Sequence, residues 1–381
     1  MPNVIESYRI TRFGFPRDRV IGDSQIRIDA AYMGVLELLD SAGRTGTGFF
    51  IGGLHPLPSL AELNRVFEAE IAPGFIGQSP HALINRVSRP RGGNIRALPY
   101  NFGEAIDQAA WDLKGQELGL PLYRLLGGTE RRVRTYASGL EFHLSDGDLT
   151  DLFGQAAQLG FNAFKIKVGH PELDWDIHRL TLVRDVVGAG ATLMVDANEA
   201  WSPGEAVRRL HAYRRAGFDI LWVEDPCLRF DFDGLREVSR QAPFTLVNTG
   251  EYLGLSDKRR LMEAGAVDIL NLHGHITDGM RAGWLAHEHG IQVSVGNTVL
   301  EIGVHVAAAL PAGPWMEYSF LNWNFLVETP LRLENGWAIA PDVPGHGLKL
   351  SEIARAKYAQ PEIVDLANLE APPALISLKR R

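Results

Sequence analysis

Two lysines and three carboxylates recur at regular intervals in the second half of the chain. Lys165 and Lys167 alternate within a short apolar segment, so a β-strand there places both side chains on one face. Asp196, Glu224 and Glu251 end the next three strand-like segments, at successive steps of 29, 28 and 27 residues counted from Lys167. Each step fits one strand and one returning helix of a parallel barrel, which brings every residue to the same rim. Three carboxylates at one rim suit Mg²⁺, and neighbouring ammonium groups suit acid–base chemistry.

The elements that must position these residues are short apolar segments, which alternate with helical patterns from about residue 132 onward, as in β/α units. Eight strands are predicted: Val133–Ser138, Ala163–Val168, Thr192–Asn198, Ile220–Glu224, Phe244–Glu251, Asp268–His273, Gln292–Asn297 and Trp315–Tyr318. Helical periodicity lies between them, for example over Leu149–Leu159, Glu205–Arg215 and Ser256–Ala264. Eight such repeats close a barrel more readily than they extend an open sheet, so we predict a parallel β/α barrel.

The first 130 residues have a different pattern, which predicts an α+β domain. Its predicted strands and helices are Ile5–Phe13 and Tyr32–Leu39, then Ser59–Ile71 and Phe102–Leu118. The segment Pro330–Leu350 is rich in Pro and Gly, and we expect it to leave the barrel and to pack on the N-terminal domain. The predicted division is therefore a capping domain over 1–130, a barrel over 131–329 and a returning C-terminal segment over 330–381.

Composition and charge narrow the class of protein. The formal net charge of −8 and the dispersed Lys and Arg residues argue against a nucleic-acid partner. Cys227 is the single cysteine, so no intrachain disulfide forms. The N-terminus lacks a basic segment followed by an apolar one, and no apolar run approaches the roughly 20 residues that span a bilayer. We expect a soluble cytoplasmic protein that acts on a small molecule and binds neither nucleic acid nor membrane.

Several segments together resemble one known family. They are Ala109-Ala110-Trp111-Asp112-Leu113-Lys114-Gly115 with Leu125-Leu126-Gly127-Gly128, Asp196-Ala197-Asn198-Glu199-Ala200-Trp201, Trp222-Val223-Glu224-Asp225-Pro226, Gly250-Glu251, and Pro341-Asp342-Val343-Pro344-Gly345-His346-Gly347. In order and spacing they resemble the mandelate racemase-like branch of the enolase superfamily, over nearly the whole chain. The resemblance implies a (β/α)₇β TIM-like barrel under an α+β cap that the N-terminal region and the C-terminal segment form together. It also implies a homo-oligomer.

The chemistry that the resemblance implies begins with removal of the proton α to a substrate carboxylate. One Mg²⁺, bound by Asp196, Glu224 and Glu251, stabilises the resulting enediolate. Lys167 is the expected base. Lys165 is expected beside the substrate carboxylate, where its charge lowers the pKa of Lys167.

The sequence also departs from that family. In the racemase-like branch the sixth barrel strand often ends with Asp and the seventh with His, as a second acid–base pair. Here the sixth place is held by His273 and the seventh falls on Val295-Gly296-Asn297, without a histidine. His273 then becomes the candidate acid for a departing hydroxyl, or alternatively a buried, hydrogen-bonded histidine.

The remaining predicted site residues bind substrate. Glu317 matches an eighth-strand acid that hydrogen-bonds the substrate carboxylate in its protonated form, and Asn198 and Asn297 are candidate substrate contacts. Two cap segments, Phe13–Gly22 and Gly46–Leu54, are similar to the family's specificity loops. The first of these loops carries Arg17 and Arg19, which are suited to a distal anionic or hydroxylated group.

These residues favour Mg²⁺-dependent dehydration of a sugar acid, or of a related α,β-dihydroxy carboxylate, to a 2-keto-3-deoxy acid. Two alternatives remain at this point. One is a racemase or epimerase, for which the sequence offers a second base only if His273 takes that role. The other is a carboxylate-binding protein without catalysis, against which the complete lysine pair and ligand set argue.

Overall fold

A computed structural model describes residues 3–52, 56–82, 98–366 and 369–376. The chain begins with an antiparallel sheet in the order β1-β2-β3. Its strands and the helices that follow are β1 Ile5–Gly22, β2 Arg27–Asp40, β3 Thr45–Ile51, α1 Leu60–Val66 and α2 Phe102–Leu118. Helix α2 packs against β3 so closely that a Cβ at Gly48 would lie 1.8 Å from the carbonyl oxygen of Ala105. The sheet and α2 thus form the predicted α+β cap.

A closed barrel of eight parallel strands follows the cap, because β11 pairs with β4 as well as with β10. The strands are β4 Arg132–Ala137, β5 Ala163–Lys167, β6 Thr192–Asp196, β7 Ile220–Glu224, β8 Leu246–Thr249, β9 Ile269–Leu272, β10 Gln292–Val295 and β11 Trp315–Tyr318. The helices are α3 Leu122–Leu125, α4 Asp146–Gln158, α5 Leu173–Val187, α6 Pro203–Arg215, α7 Phe232–Gln241, α8 Leu255–Glu263, α9 Ile276–Glu288 and α10 Val304–Ala309. The predicted fold class, a TIM-like barrel with a cap, is confirmed.

Local sequence signals explain where the barrel helices begin and what fills the barrel. Ser145, Ser202 and Asp231 each accept a hydrogen bond from a backbone N–H in the first turn of the helix that they precede. Large apolar side chains such as Tyr136 and Trp222 are fully buried in the barrel interior, so the barrel is a packed core rather than a pore.

No helix in the described ranges is both long and apolar enough to cross a membrane.

The C-terminal segment corrects one prediction. Strands β12 Arg332–Glu334 and β13 Trp337–Ile339 form a hairpin, and β13 pairs antiparallel with the start of β4. We expected Pro330–Leu350 to leave the barrel, but its first residues form this hairpin against β4, because a tight turn at Asn335 and Gly336 supplies the left-handed backbone that a hairpin needs. The residues after the hairpin do return to the cap. His346 Nε2 donates to the carbonyl oxygen of Thr47 at 2.7 Å, and α11 Glu352–Tyr358 follows.

The two cap segments predicted as loops are strands. Phe13–Gly22 lies within β1, and the described part of Gly46–Leu54 lies mostly within β3, while Leu54 lies outside the described residues. Pairing with β2 continues on both sides of a register shift between Pro16 and Ile21, so this segment is part of strand β1. A short turn over 23–26, which joins β1 to β2, also contacts the barrel. Gly22 N donates to Leu140 O at 2.8 Å just before that turn.

We predict that acid weakens the fold through His305 on α10. Its ring is almost fully buried, Nε2 donates to the carbonyl oxygen of His346 at 3.0 Å, and burial lowers its pKa from 6.5 to about 3. The unfolded chain binds this proton first, so stability falls as the pH drops from about 6.5 towards 3. At about pH 5 the expected cost is roughly 2 kcal/mol.

Urea unfolding near neutral pH and near pH 5 measures this effect. His305→Gln should lose that part of the pH dependence, whereas replacement of the exposed His289 by Gln should keep it. Equal acid sensitivity in all three proteins would contradict the assignment to His305.

Candidate active site

Backbone strain marks one rim of the barrel. Of the twelve non-glycine residues with positive φ in the described part of the chain, eight follow the C-terminal ends of barrel strands: Leu140, Asn198, Glu199, Asp225, Leu300, Glu301, Phe320 and Asn322. Such conformations cost about 1–3 kcal/mol each and persist where the surrounding structure holds them, commonly at functional sites. The strained rim is the one at which the sequence places the lysines and carboxylates.

Lys165 lies at the centre of a buried ionic cluster on this rim. Its Nζ lies 2.8 Å from Glu224 Oε2, 3.2 Å from Glu317 Oε2 and 3.3 Å from Asp196 Oδ2. Burial alone would lower the pKa of Lys165, but these carboxylates, together with Tyr136, outweigh burial and raise the pKa well above its usual value. Lys165 therefore stays cationic at neutral pH and suits an electrostatic role rather than that of a base.

Both the side-chain amine and the backbone N–H of Lys167 have close partners. Its Nζ lies 2.6 Å from Asp196 Oδ2 and 2.7 Å from Asn198 Oδ1, and its backbone N–H donates to Glu141 Oε1 at 2.6 Å. Burial lowers the pKa of Lys167 and Lys165 lowers it further, as expected from the sequence, but Asp196 outweighs both and the pKa is raised. A base at this position therefore requires that the charge of Asp196 be shared with another cation.

The carboxylates repel one another on neighbouring strands. Asp196 and Glu224 are register partners on β6 and β7, and Glu251 follows β8. Burial raises the pKa of Glu224 well above its usual range, and Asp196, Glu317 and Glu251 add to this although Lys165 opposes it. Burial would raise the pKa of Asp196 as well, but Lys167 and Lys165 reverse the effect and lower it to about 2. With Glu317, four carboxylates thus stand near the ammonium groups of Lys165 and Lys167.

In the described residues, no group of three or more His, Cys, Asp or Glu side chains stands close enough together to bind a metal ion. The two lysine ammonium groups are the immediate partners of Asp196 and Glu224 instead. The donor set nevertheless fits Mg²⁺ in chemistry, because its ligands are hard oxygens and its charge is more negative than the lysines balance. Burial is the main cause of the raised pKa of Glu224, and the neighbouring carboxylates add to it.

Three predicted substrate contacts lie at the same rim. Asn198 accepts from Lys167, and the cap side chain Gln25 donates to the Asn198 backbone oxygen. Glu317 accepts from Lys165 and, at 3.4 Å, from the Tyr136 hydroxyl, where the sequence predicted a protonated donor. Asn297 Oδ1 accepts from Ser319 Oγ at 3.2 Å on the β10–β11 side.

His273 lies on the opposite side of the barrel from the lysines, since β9 is four strands from β5 in a ring of eight. Its Nδ1 is 3.6 Å from Glu251 Oε1 and makes no hydrogen bond in the described structure. The Tyr252 ring packs against the imidazole with centroids 5.4 Å apart. His273 therefore faces the lysines from across the barrel, with Glu251 and Tyr252 as its neighbours.

Arg19 has structural partners rather than a free guanidinium. It is 6% exposed and donates to Phe320 O at 2.8 Å, to Gly139 O at 3.3 Å and to Asp18 Oδ2 at 3.1 Å. These bonds join the cap strand β1 to the loops that follow β4 and β11. Arg19 thus fastens the cap to the barrel.

Arg17 is more available than Arg19. Its Nε donates to Ala30 O at 3.3 Å and its guanidinium lies over the Trp323 ring at 5.7 Å. Burial lowers the pKa of Arg17 to about 10, Arg19 lowers it further, and Asp18 opposes the change. Within the described residues Arg17 forms no ion pair with a carboxylate, so it keeps donors for an anionic group.

This difference predicts opposite results for the two arginines. Arg19→Ala should lower the free energy of unfolding by about 3 kcal/mol, because buried acceptors lose a charged donor. Arg17→Ala should change stability by at most about 1 kcal/mol and should instead raise KM for a substrate with a distal anion. Denaturant unfolding and steady-state kinetics of both variants test this, and the reverse pattern would contradict it.

Sequence reasoning missed three residues that support the site. Asn271 Nδ2 donates to Glu224 Oε1 at 3.1 Å, Glu141 holds the Lys167 backbone, and Tyr136 contacts Glu317. Asn271 lies two residues before His273, so the period of two along a strand was a usable signal. Glu141 follows its strand in an irregular loop, and no sequence pattern indicates its contact.

Comparison with known proteins places this architecture in a family of enzymes. Residues 28–127 match the family described as mandelate racemase / muconate lactonizing enzyme, N-terminal domain, and residues 148–354 match the enolase C-terminal domain-like family. L-talarate/galactarate dehydratase of Salmonella typhimurium is 33% identical over 75% of this chain and 73% of its own length. Hydrophobic dipeptide epimerase of Enterococcus faecalis is 31% identical over 74% of this chain and 81% of its own length.

Solved structures agree with these relatives. A protein of Mesorhizobium loti described as a candidate mandelate racemase is 50% identical, with a TM-score of 0.93 over 97% of this chain and 98% of that chain. L-talarate dehydratase from Polaromonas sp. JS666, in complex with Mg and L-glucarate, is 28% identical, with a TM-score of 0.80 over 94% of this chain and 98% of that chain. The ion in that relative is the cofactor that the sequence predicts here.

The chain belongs to the enolase superfamily, in its mandelate racemase-like branch. Its relatives include dehydratases, which are lyases, as well as epimerases and cycloisomerases. The protein is accordingly an enzyme of this superfamily.

Proposed function

We propose that the protein dehydrates a sugar acid, or a related α,β-dihydroxy carboxylate, to a 2-keto-3-deoxy acid with Mg²⁺ as cofactor. The observation that carries this proposal is the rim cluster in which the buried carboxylates Asp196, Glu224 and Glu317 surround two lysine ammonium groups, with the partly buried Glu251 acting on Glu224 from the next strand. Its excess negative charge favours a divalent cation. Asp196, Glu224 and Glu251 would hold that cation, which would neutralise charge on the substrate carboxylate.

Each protein group then has a distinct task. Lys167 removes the α-proton once the cation shares the charge of Asp196, because burial and Lys165 then lower its pKa. Lys165 stays protonated and stabilises the negative charge that develops on the carboxylate. His273 gives a proton to the departing β-hydroxyl from the far side of the barrel.

A panel of aldonic and aldaric acids with Mg²⁺ tests the reaction directly. Formation of a 2-keto-3-deoxy acid, trapped through its carbonyl group, is the expected result for at least one acid. L-talarate, galactarate and L-glucarate belong in the panel, because relatives are named for acting on the first two or were solved with the third. Absence of any keto acid across the panel, with Mg²⁺ bound, would reject dehydration.

One observation favours an epimerase or racemase as the second candidate. His273 stands across the barrel from Lys167, and inversion of a carbon centre requires acid–base groups on both faces of the substrate. Inversion without keto acid would identify this reaction. Binding of acids without either product would identify the third alternative, a member without catalysis.

A further inference from the structure

Lys258 is a buried lysine to which the proposed reaction gives no role. It lies on α8, the helix that follows β8, and is 6% exposed, whereas its neighbour Arg259 is exposed to solvent. Lys165 and Lys167 pair with carboxylates, but Lys258 forms no ion pair within the part of the chain that the structure describes. A buried ammonium group without a carboxylate partner needs other hydrogen-bond acceptors.

The acceptors of Lys258 are backbone oxygens on two neighbouring barrel strands. Its Nζ donates to the carbonyl oxygen of Gly250, to that of Asn271 at 3.1 Å and, more weakly, to that of Glu251 at 3.4 Å. An ammonium group has three donors, so these three acceptors account for all of them. The side chain therefore links the end of β8 to β9.

This link begins where the pairing of β8 with β9 ends. Thr249 and Leu270 are the last residues that pair in register. Gly250 has a φ of 110°, which lies outside the range of a β-strand, so the backbone ladder stops there. The next residues along the two strands, Gly250 and Asn271, are joined by the Lys258 ammonium group instead. Lys258 thus takes the place of one backbone pair.

Both of the linked segments carry groups of the predicted metal site. Glu251 is a predicted Mg²⁺ ligand and directly follows Gly250. Asn271 Nδ2 donates at 3.1 Å to Oε1 of Glu224, which is a second predicted ligand. One ammonium group therefore holds the backbone of one ligand and the backbone of a residue that orients another. Groups that hold metal ligands in this way commonly change the affinity for the ion by roughly 10- to 100-fold.

We propose that Lys258 is a positioning residue of the Mg²⁺ site, which fixes Glu251 relative to the neighbouring strand β9. Through Asn271, it also fixes the position of Glu224. The proposal deepens the proposed function and rests on it, because it takes Asp196, Glu224 and Glu251 as the Mg²⁺ ligands. The contribution of Lys258 is preorganisation: ligands that are already in place lose less conformational freedom when the ion binds.

The Lys258→Met variant tests this role, because methionine has a similar shape and cannot donate. Burial lowers the pKa of Lys258 to about 8, so at pH 7 the side chain is still mostly a cation. Loss of this positive charge by itself would strengthen Mg²⁺ binding, whereas loss of positioning weakens it. We expect Lys258→Met to bind Mg²⁺ about tenfold more weakly than the wild type in calorimetric titration at pH 7.

The matched control is Arg259→Met, which removes an exposed positive charge from the same helix. This control should bind Mg²⁺ at least as tightly as the wild type. Binding by Lys258→Met that is as tight as that of the wild type, or tighter, would overturn the proposal. If Lys258→Met fails to fold, Lys258→Gln takes its place, because glutamine is also neutral and is one atom shorter than lysine. The same weakening is expected there, and its absence would overturn the proposal.

The EPR spectrum of bound Mn²⁺ separates a positioning role from a merely structural one. A structural role would lower the free energy of unfolding of the metal-free protein and leave the arrangement of the metal ligands unchanged. With Mn²⁺ in place of Mg²⁺, and at saturation, the spectrum of Lys258→Met should differ from that of the wild type, while that of Arg259→Met should not. Identical spectra in Lys258→Met and the wild type would overturn the proposal.

These measurements need no substrate, so they separate this proposal from the proposed function. Dehydration by the wild type together with unchanged Mg²⁺ binding in Lys258→Met would overturn the role of Lys258 alone. If the wild type binds Mg²⁺ but dehydrates no acid, the proposed function is rejected, and weaker binding in Lys258→Met still supports the positioning role. A wild type that binds no Mg²⁺ would overturn both.

Discussion

In the Lys167→Met variant, two rates are expected to fall by roughly 10³-fold or more: exchange of the substrate α-proton with deuterated water, and dehydration. Methionine keeps much of the side-chain volume and removes the amine that contacts both Asp196 and Asn198. Since the α-proton must leave before the hydroxyl group, no later step can rescue the reaction. NMR of the exchanging proton and a keto-acid assay measure the two effects.

The companion variant His273→Asn should separate these two readouts. In this variant Lys167 still removes the α-proton, but the hydroxyl group departs poorly because no acid protonates it. When the deprotonated substrate recaptures deuterium from the solvent, the rate of exchange should therefore exceed the rate of dehydration. In a racemase both variants would suppress inversion instead. Replacement of the exposed Lys357 by Met serves as the control, and wild-type dehydration by Lys167→Met would remove the central assignment.

Glu224→Gln is expected to weaken Mg²⁺ binding by about 10³-fold, the effect of one lost charge interaction of roughly 4 kcal/mol at 4 Å and intermediate dielectric. The stability of the metal-free protein should change little, because the buried Glu224 carboxylate is already costly, as its raised pKa shows. Calorimetric titration measures the affinity directly. Thermal unfolding gives a second readout, since saturating Mg²⁺ stabilises only a protein that binds it.

The matched control is Glu263→Gln on the exposed side of α8, which should bind Mg²⁺ as the wild type does. Excess chelator should abolish wild-type activity, and added Mg²⁺ should restore it. Full activity in chelator, or unchanged Mg²⁺ affinity in Glu224→Gln, would show that these carboxylates do not hold the cofactor.

The barrel and its rim residues were predictable because they depend on local periodicity. Lys165 and Lys167 share a face through the period of two along a strand, and the repeat of 27 to 29 residues sets Asp196, Glu224 and Glu251 on successive strand ends. The structure places Lys165 within 3.3 Å of Asp196 and Glu224. Helix α2 also has the predicted bounds, because Gly119 ends it with a left-handed backbone.

Cap contacts were not predictable, because they join segments that are far apart along the chain. Phe13–Gly22 resembles a specificity loop of the family, yet pairing with β2 extends it as a strand. Arg19 suggested a substrate contact, yet its acceptors lie 120 and 301 residues away on the barrel. No local pattern encodes such partners.

The sequence by itself determined the fold class, the rim and the types of residue that stand there. Only the tertiary structure decided which groups touch, and with that their protonation. Spacing brings Lys167 to the rim, but its pKa depends on the distances to Asp196 and Lys165, and electrostatic energy changes steeply over a few ångströms in a buried site. Asn271 acquires a role only through Glu224, which the folded barrel brings beside it from another strand.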